Sequence, residues 1–127
     1  MKRHAAREKA FQILFQLDMN EFDPAKTTEE YVDSEDTDEF LRMLVQGVRD
    51  HKAEIDSTIS GHMEKWSLAR IATVERTILR IATYEITYLD DIPVNVSINE
   101  AVELANTYGD HKSGKFVNGV LSRITRK

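Results

Sequence analysis

The chain contains no cysteine, which excludes a disulfide framework, a thiolate metal site and a thiol nucleophile. It has no apolar run approaching the ~20 residues of a membrane span. Its basic N-terminus is not followed by the apolar segment of a secretory signal. Proline occurs only at positions 24 and 93, and each marks a break in the apolar pattern. No repeat, linker or low-complexity segment interrupts the 127 residues. That length fits one domain with a core that needs no metal or disulfide. The hydrophobic share of 41% and charged share of 31% are those of an ordinary globular protein, expected in the cytoplasm and without a membrane partner.

The net charge of −5 argues against nucleic acid when taken alone, but its distribution reverses that reading. Residues 1–9 carry Lys2, Arg3, Arg7 and Lys9 against Glu8 alone. Residues 110–127 carry Lys112, Lys115, Arg123, Arg126 and Lys127 against Asp110 alone. Between them, residues 18–39 hold ten acids and one base, Lys26. Two basic ends that meet in space would form an anion-binding patch despite the negative total.

Helical periodicity dominates the pattern. Ala6, Ala10, Ile13, Leu14 and Leu17 define an amphipathic helix over 3–19, with Phe11 and Phe15 widening its stripe. Lys2, Lys9 and Gln16 line the opposite strip, and Arg3 and Arg7 sit at the border of the apolar face. A short helix over 24–33 would be anchored by Tyr31 and Val32. Asp36 followed by Glu39 is a helix start signal. One long helix is then expected from Phe40 to Ile59, closed by Gly61. Trp66-Ser67 opens a central helix running to Ile86 with little polar face. Pro93 starts another, through Ile98, Ala101 and Leu104 to Gly109, and Phe116 to Ile124 define the last. The alternation Val94, Val96, Ile98 also suits a strand, but nothing else in the chain could pair with it. The expected fold class is all-α, a single compact domain of six or seven helices over residues 1–127.

Several catalytic readings fail. Gly109 to Lys115 fits the phosphate-cradling pattern G-x-x-x-x-G-K, but Phe116 stands where a Ser or Thr must reach Mg²⁺. That loop also follows a helix instead of a buried strand. His4, His51, His62 and His111 are scattered and form no ligand pair at one-turn spacing, so no metal site is expected. Asp36-Thr37-Asp38-Glu39 lacks the glycine and distal Glu of a calcium loop. There is no G-x-S-x-G elbow, and no spacing assembles an acid, a base and an oxyanion hole. No enzyme activity and no cofactor are expected.

Binding is better served. Lys2, Arg3, Arg7 and Lys9, with Gln12 and Gln16 farther along the same helix, combine phosphate-seeking cations with bidentate amides, a mixture suited to single-stranded RNA. Lys112 and Lys115 stand near the start of the last helix, where the macrodipole also favours phosphate. Asn118 follows one turn later. Phe22, Tyr108 and Phe116 are candidate stacking platforms, though their spacing also fits the apolar stripes. In the central helix Arg76 and Arg80 lie one turn apart with Glu75 and Glu85 nearby. Internal ion pairing and a charged partner face are both open there, because periodicity does not separate them.

Arg3-His4-Ala5-Ala6-Arg7-Glu8-Lys9-Ala10, Leu14-Phe15-Gln16, Ile78 to Glu85, Asp91 to Ala101 and Lys115 to Leu121 together resemble the NusB family of bacterial transcription antitermination factors, in order across nearly the whole chain. The resemblance is weakest over 20–38. It implies two small packed helical bundles that bind the boxA element of ribosomal RNA leader transcripts. It implies pairing with NusE, a small-subunit ribosomal protein, and joining other Nus factors on the RNA polymerase elongation complex to suppress termination, without a cofactor. By resemblance Lys2, Arg3, Arg7 and Lys9 face RNA, as do Lys115, Asn118 and Ser122 on the last helix. Tyr84 and Glu85 resemble the NusE-facing surface, with Glu75, Arg76 and Arg80 close to it. Some family members have an acid where Ser122 stands here, and some have a longer arginine run, which implies modest RNA affinity without the partner. Some form homodimers that cover the RNA face.

Two rival readings remain. A helical adaptor that binds only proteins would leave the clustered basic ends unused. The same helical module also occurs fused to RNA cytosine methyltransferases, but 127 residues leave no room for a cofactor-binding α/β domain.

Overall fold

The computed structural model describes residues 2–19, 28, 38–63 and 67–125. Six α-helices, with no strand among the described residues, follow one another as α1 (Arg3–Met19), α2 (Glu39–Asp50), α3 (Lys52–Ser60), α4 (Thr73–Tyr88), α5 (Val94–Tyr108) and α6 (Ser113–Thr125). A 3₁₀ turn, Leu68–Arg70, precedes α4. The expected helix over 24–33, the Asp36 cap, Phe22 and Trp66 lie outside the described residues, apart from Thr28. That residue is buried, and its hydroxyl bonds Gln46 and Arg49 of α2. Among the described residues no helix is long and apolar enough to cross a membrane.

Helix α4 organises the molecule by packing against each of the other five α-helices. Every residue from Thr77 to Glu85 is buried, as expected of a helix surrounded on all sides. α1 and α2 pack together on it as one small bundle, and α5 and α6 form a tightly paired second one. One hydrophobic core joins them, with Leu14, Leu41, Leu44, Ile78, Leu79 and Leu121 almost fully buried. Burying each such side chain contributes about 1.5–3 kcal/mol. Gly47 on α2 lets the Tyr84 ring of α4 lie directly on the backbone, because any β-carbon there would collide with that ring.

Three local expectations are corrected. The single helix over 40–59 is two, divided at His51, whose φ of −110° and ψ of 17° leave the helical region. Apolar spacing carries across this one-residue break because Val48 and Ile55 stay a heptad apart on the buried side. The cap of α2 is Asp38, whose carboxylate accepts the Leu41 N–H at 3.0 Å. The central helix begins at Thr73, not at Ser67, after the 3₁₀ turn. By contrast α5 starts after Pro93 and ends at Gly109, and the rejected strand is indeed helical.

Candidate nucleic-acid and partner interfaces

Along α1, Lys2, Arg3, Gln12 and Gln16 are exposed and Lys9 is half-buried. Arg7 departs from the expected RNA-facing strip, since it is 3% exposed. Its guanidinium donates to Glu85 of α4 through Nε at 2.9 Å and through an Nη at 2.8 Å. Glu85, also buried, accepts the Ser97 hydroxyl of α5 at 2.9 Å. The Phe40 ring covers the Arg7 guanidinium at 5.1 Å. A buried guanidinium and carboxylate must pair, and this bidentate bond ties α1, α4 and α5 together. Neither Arg7, expected against RNA, nor Glu85, expected against NusE, is on the surface.

The other N-terminal groups meet acids. Arg3 lies 3.9 Å from Asp91. His4 Nδ1 lies 2.7 Å from Glu100 and 3.7 Å from Glu103. The hydrogen bond and charge of Glu100 hold the His4 imidazole above its ordinary pKa. Farther along, Gln12 donates to the Tyr108 hydroxyl at 3.0 Å, and Tyr108 packs on Phe11 with ring centroids 4.7 Å apart. α1 therefore runs beside α5 in the same direction. The basic ends do not merge at Lys2: the Gln12 region adjoins the loop into α6, about 15 Å along the helix from Lys2.

At that loop Asp110 accepts the Lys112 N–H at 2.8 Å and the Ser113 hydroxyl at 3.3 Å. The Lys112 N–H, followed by the Ser113 hydroxyl, holds the Asp110 carboxyl below its usual range. A side chain on Gly109 would strike Ser113, so this tight start to α6 needs glycine. Lys112, Lys115 and Asn118 are exposed and Ser122 is half-buried. Lys115, Asn118 and Ser122 follow at three- and four-residue steps and so share one helix face. Neither Lys112 nor Lys115 makes an ion pair among the described residues. Lys112 and Phe116 also line a cleft of about 390 Å³ with Arg70, Ile71 and Glu75, so Glu75 adjoins the basic start of α6.

Of the charged residues of α4, Arg76, Arg80 and Glu85 form internal pairs. Arg76 donates twice to Asp18 at 2.8 and 2.9 Å. Arg80, 6% exposed, donates to Asp56 at 2.8 and 3.0 Å and to Asp18 at 3.2 Å. Burial pushes the Asp18 carboxyl up, but the Arg76 hydrogen bond and the charges of Arg80 and Arg76 outweigh it and leave it below the ordinary value. Arg76 and Arg80 are thus joined to α1 and α3, and of the two readings left open, internal pairing is the one observed. Tyr84 is buried, and burial raises its phenol pKa. Beyond it Tyr88 reaches the surface, stacked 4.2 Å from the His51 ring and 5.4 Å from Tyr84. Sequence reasoning missed Tyr88 and His51, because their meeting depends on the break between α2 and α3.

The NusB family model matches residues 4–126. The transcription antitermination protein NusB of Oceanobacillus iheyensis is 64% identical over 124 residues, 98% of this chain and 98% of that protein. T. maritima NusB superposes with a TM-score of 0.87 at 38% identity, over 98% of this chain and 90% of that one. A crystal structure of the antitermination factors NusB and NusE in complex with dsRNA gives a TM-score of 0.82 at 34% identity, over 98% and 97%.

Proposed function

The chain belongs to the NusB family, and from that premise we propose that it is a cytoplasmic, non-catalytic antitermination factor. It binds the single-stranded boxA element of ribosomal RNA leader transcripts together with NusE and helps load other Nus factors on RNA polymerase. The observation that carries this reading is the unpaired basic start of α6, where Lys112 and Lys115 stand exposed beside Asn118. Lys2 and Arg3 extend the cationic surface at the other end of α1. Gln12, Gln16 and Tyr108 lie between and supply amide and ring contacts for bases. A few phosphate contacts of this kind give weak, salt-sensitive binding that a partner must strengthen. The NusE-facing surface centres on the exposed edge of the Tyr84–Tyr88–His51 stack, while Arg76, Arg80 and Glu85 hold α4 in place beneath it.

The test is fluorescence anisotropy of labelled boxA RNA, a scrambled strand and a duplex control, titrated with and without NusE at two salt concentrations. Preferential binding to boxA, tightened by NusE, is expected. Equal weak binding to all three RNAs, unchanged by NusE, would leave a protein-binding helical adaptor.

A further inference from the structure

The contact between His4 and α5 brings an imidazole and two carboxylates together. His4 Nδ1 lies 2.7 Å from the Glu100 carboxylate and 3.7 Å from that of Glu103. The three ligand atoms lie within 4.8 Å of one another. Glu100 and Glu103 are one turn apart on α5 and so share a face, and His4 comes from a second helix. That converging arrangement, an imidazole nitrogen with two carboxylate oxygens, is a ligand set and not merely a patch of acids.

We propose that His4, Glu100 and Glu103 bind a zinc-class dication that clips the start of α1 to α5. Tetrahedral zinc with bonds of about 2.0–2.2 Å sets its ligand atoms roughly 3.4 Å apart. The two distances from His4 Nδ1, 2.7 and 3.7 Å, lie on either side of that value. Seating the ion requires those two separations to open and to close by less than 1 Å, while the Glu100 and Glu103 oxygens, within 4.8 Å of each other, close by no more than about 1.4 Å. The side chains that must move are loose, His4 being 53% and Glu103 66% exposed. Glu100 is steadier, at 22% exposed and 3.9 Å from the Arg7 guanidinium, the kind of outer contact that orients a ligand. The two helices are already held to one another by the Arg7–Glu85–Ser97 chain and the Gln12–Tyr108 bond. Two carboxylates and a neutral imidazole neutralise a dication, and the mixed nitrogen and oxygen donors suit zinc or cobalt over calcium or magnesium, which prefer oxygen alone. Three protein ligands leave one position for water.

The experiment is calorimetric titration of the chelator-treated full chain with Zn²⁺, with Co²⁺ absorption as the spectroscopic readout. One ion per chain is expected, raising the unfolding temperature until chelator is added. Glu103→Gln, at an exposed position away from the core, should weaken binding at least about tenfold without changing the metal-free unfolding temperature, and His4→Ala should abolish it. No binding by the natural chain, or equal binding by Glu103→Gln with His51, His62 or His111 supplying the ligand, would overturn the proposal.

Discussion

The two basic ends look alike as composition and differ as structure. At the start of α1, Arg7 is buried against Glu85, Arg3 approaches Asp91, and His4 meets Glu100. At the start of α6, Lys112 and Lys115 carry no ion pair among the described residues. The difference lies in what each helix packs against. α1 runs beside α4, α5 and the turn between them, whose acids answer its cations, while the start of α6 follows a loop whose one carboxylate, Asp110, is engaged by the Lys112 backbone and Ser113. A cation count thus measures potential for anion binding, and the neighbouring helix decides whether that potential is spent internally.

The largest effect expected from this contrast is at Arg7. Arg7→Ala leaves Glu85 buried without its main partner and should cost about 3–5 kcal/mol in urea unfolding. Replacing both Arg7 and Glu85 with apolar residues of similar volume should recover most of that loss. Unchanged stability with weakened RNA binding would instead make Arg7 a surface ligand and break the comparison. A smaller loss, about 1–3 kcal/mol, is expected for Asp18→Asn, which weakens the hydrogen bonds to Arg76 and Arg80. Because the Asp18 carboxyl is held below its ordinary value, its contribution is full above the unfolded pKa near ~4 and fades as pH falls through the folded value. The gap between natural chain and variant should therefore narrow toward pH ~2, and a constant gap would contradict the assignment. Tyr88→Ala, at the exposed end of the ring stack, should weaken NusE binding by about 1–2 kcal/mol in calorimetry while RNA affinity holds. An unaltered NusE affinity would move the partner surface elsewhere.

Much of the fold is legible in the sequence. Pro93 and Gly109 bound α5, and the unbroken apolar content of residues 77–85 identifies the buried centre. The division at His51 is not legible, because no glycine or proline marks it and the apolar period continues through it. Arg7 carried a signal that was misread: Ala10, Phe11 and Leu14 follow it at helical spacing and all are buried, so its side of α1 faces inward. Glu85 lies likewise on a helix with almost no polar face. Opposite charges embedded in two apolar stripes are candidates for each other. The contacts of His4 with α5 and of Gln12 with Tyr108 span 96 residues, beyond the reach of any local spacing. Lys115, Asn118 and Ser122, which the family resemblance singles out, share one face of α6, with Lys115 and Asn118 exposed and Ser122 half-buried.

The most direct measurement is the salt dependence of boxA RNA affinity for the natural chain, for Lys112→Ala with Lys115→Ala, and for Arg3→Ala. Losing two phosphate contacts to a single strand should lower the slope of log affinity against log salt by about 1.4, with stability changed by no more than about 0.5 kcal/mol. Arg3→Ala should lower it by about half as much or less. A slope unaltered by the lysine pair, or a larger fall for Arg3→Ala, would contradict the account that the unpaired start of α6 is the principal RNA-binding cation surface.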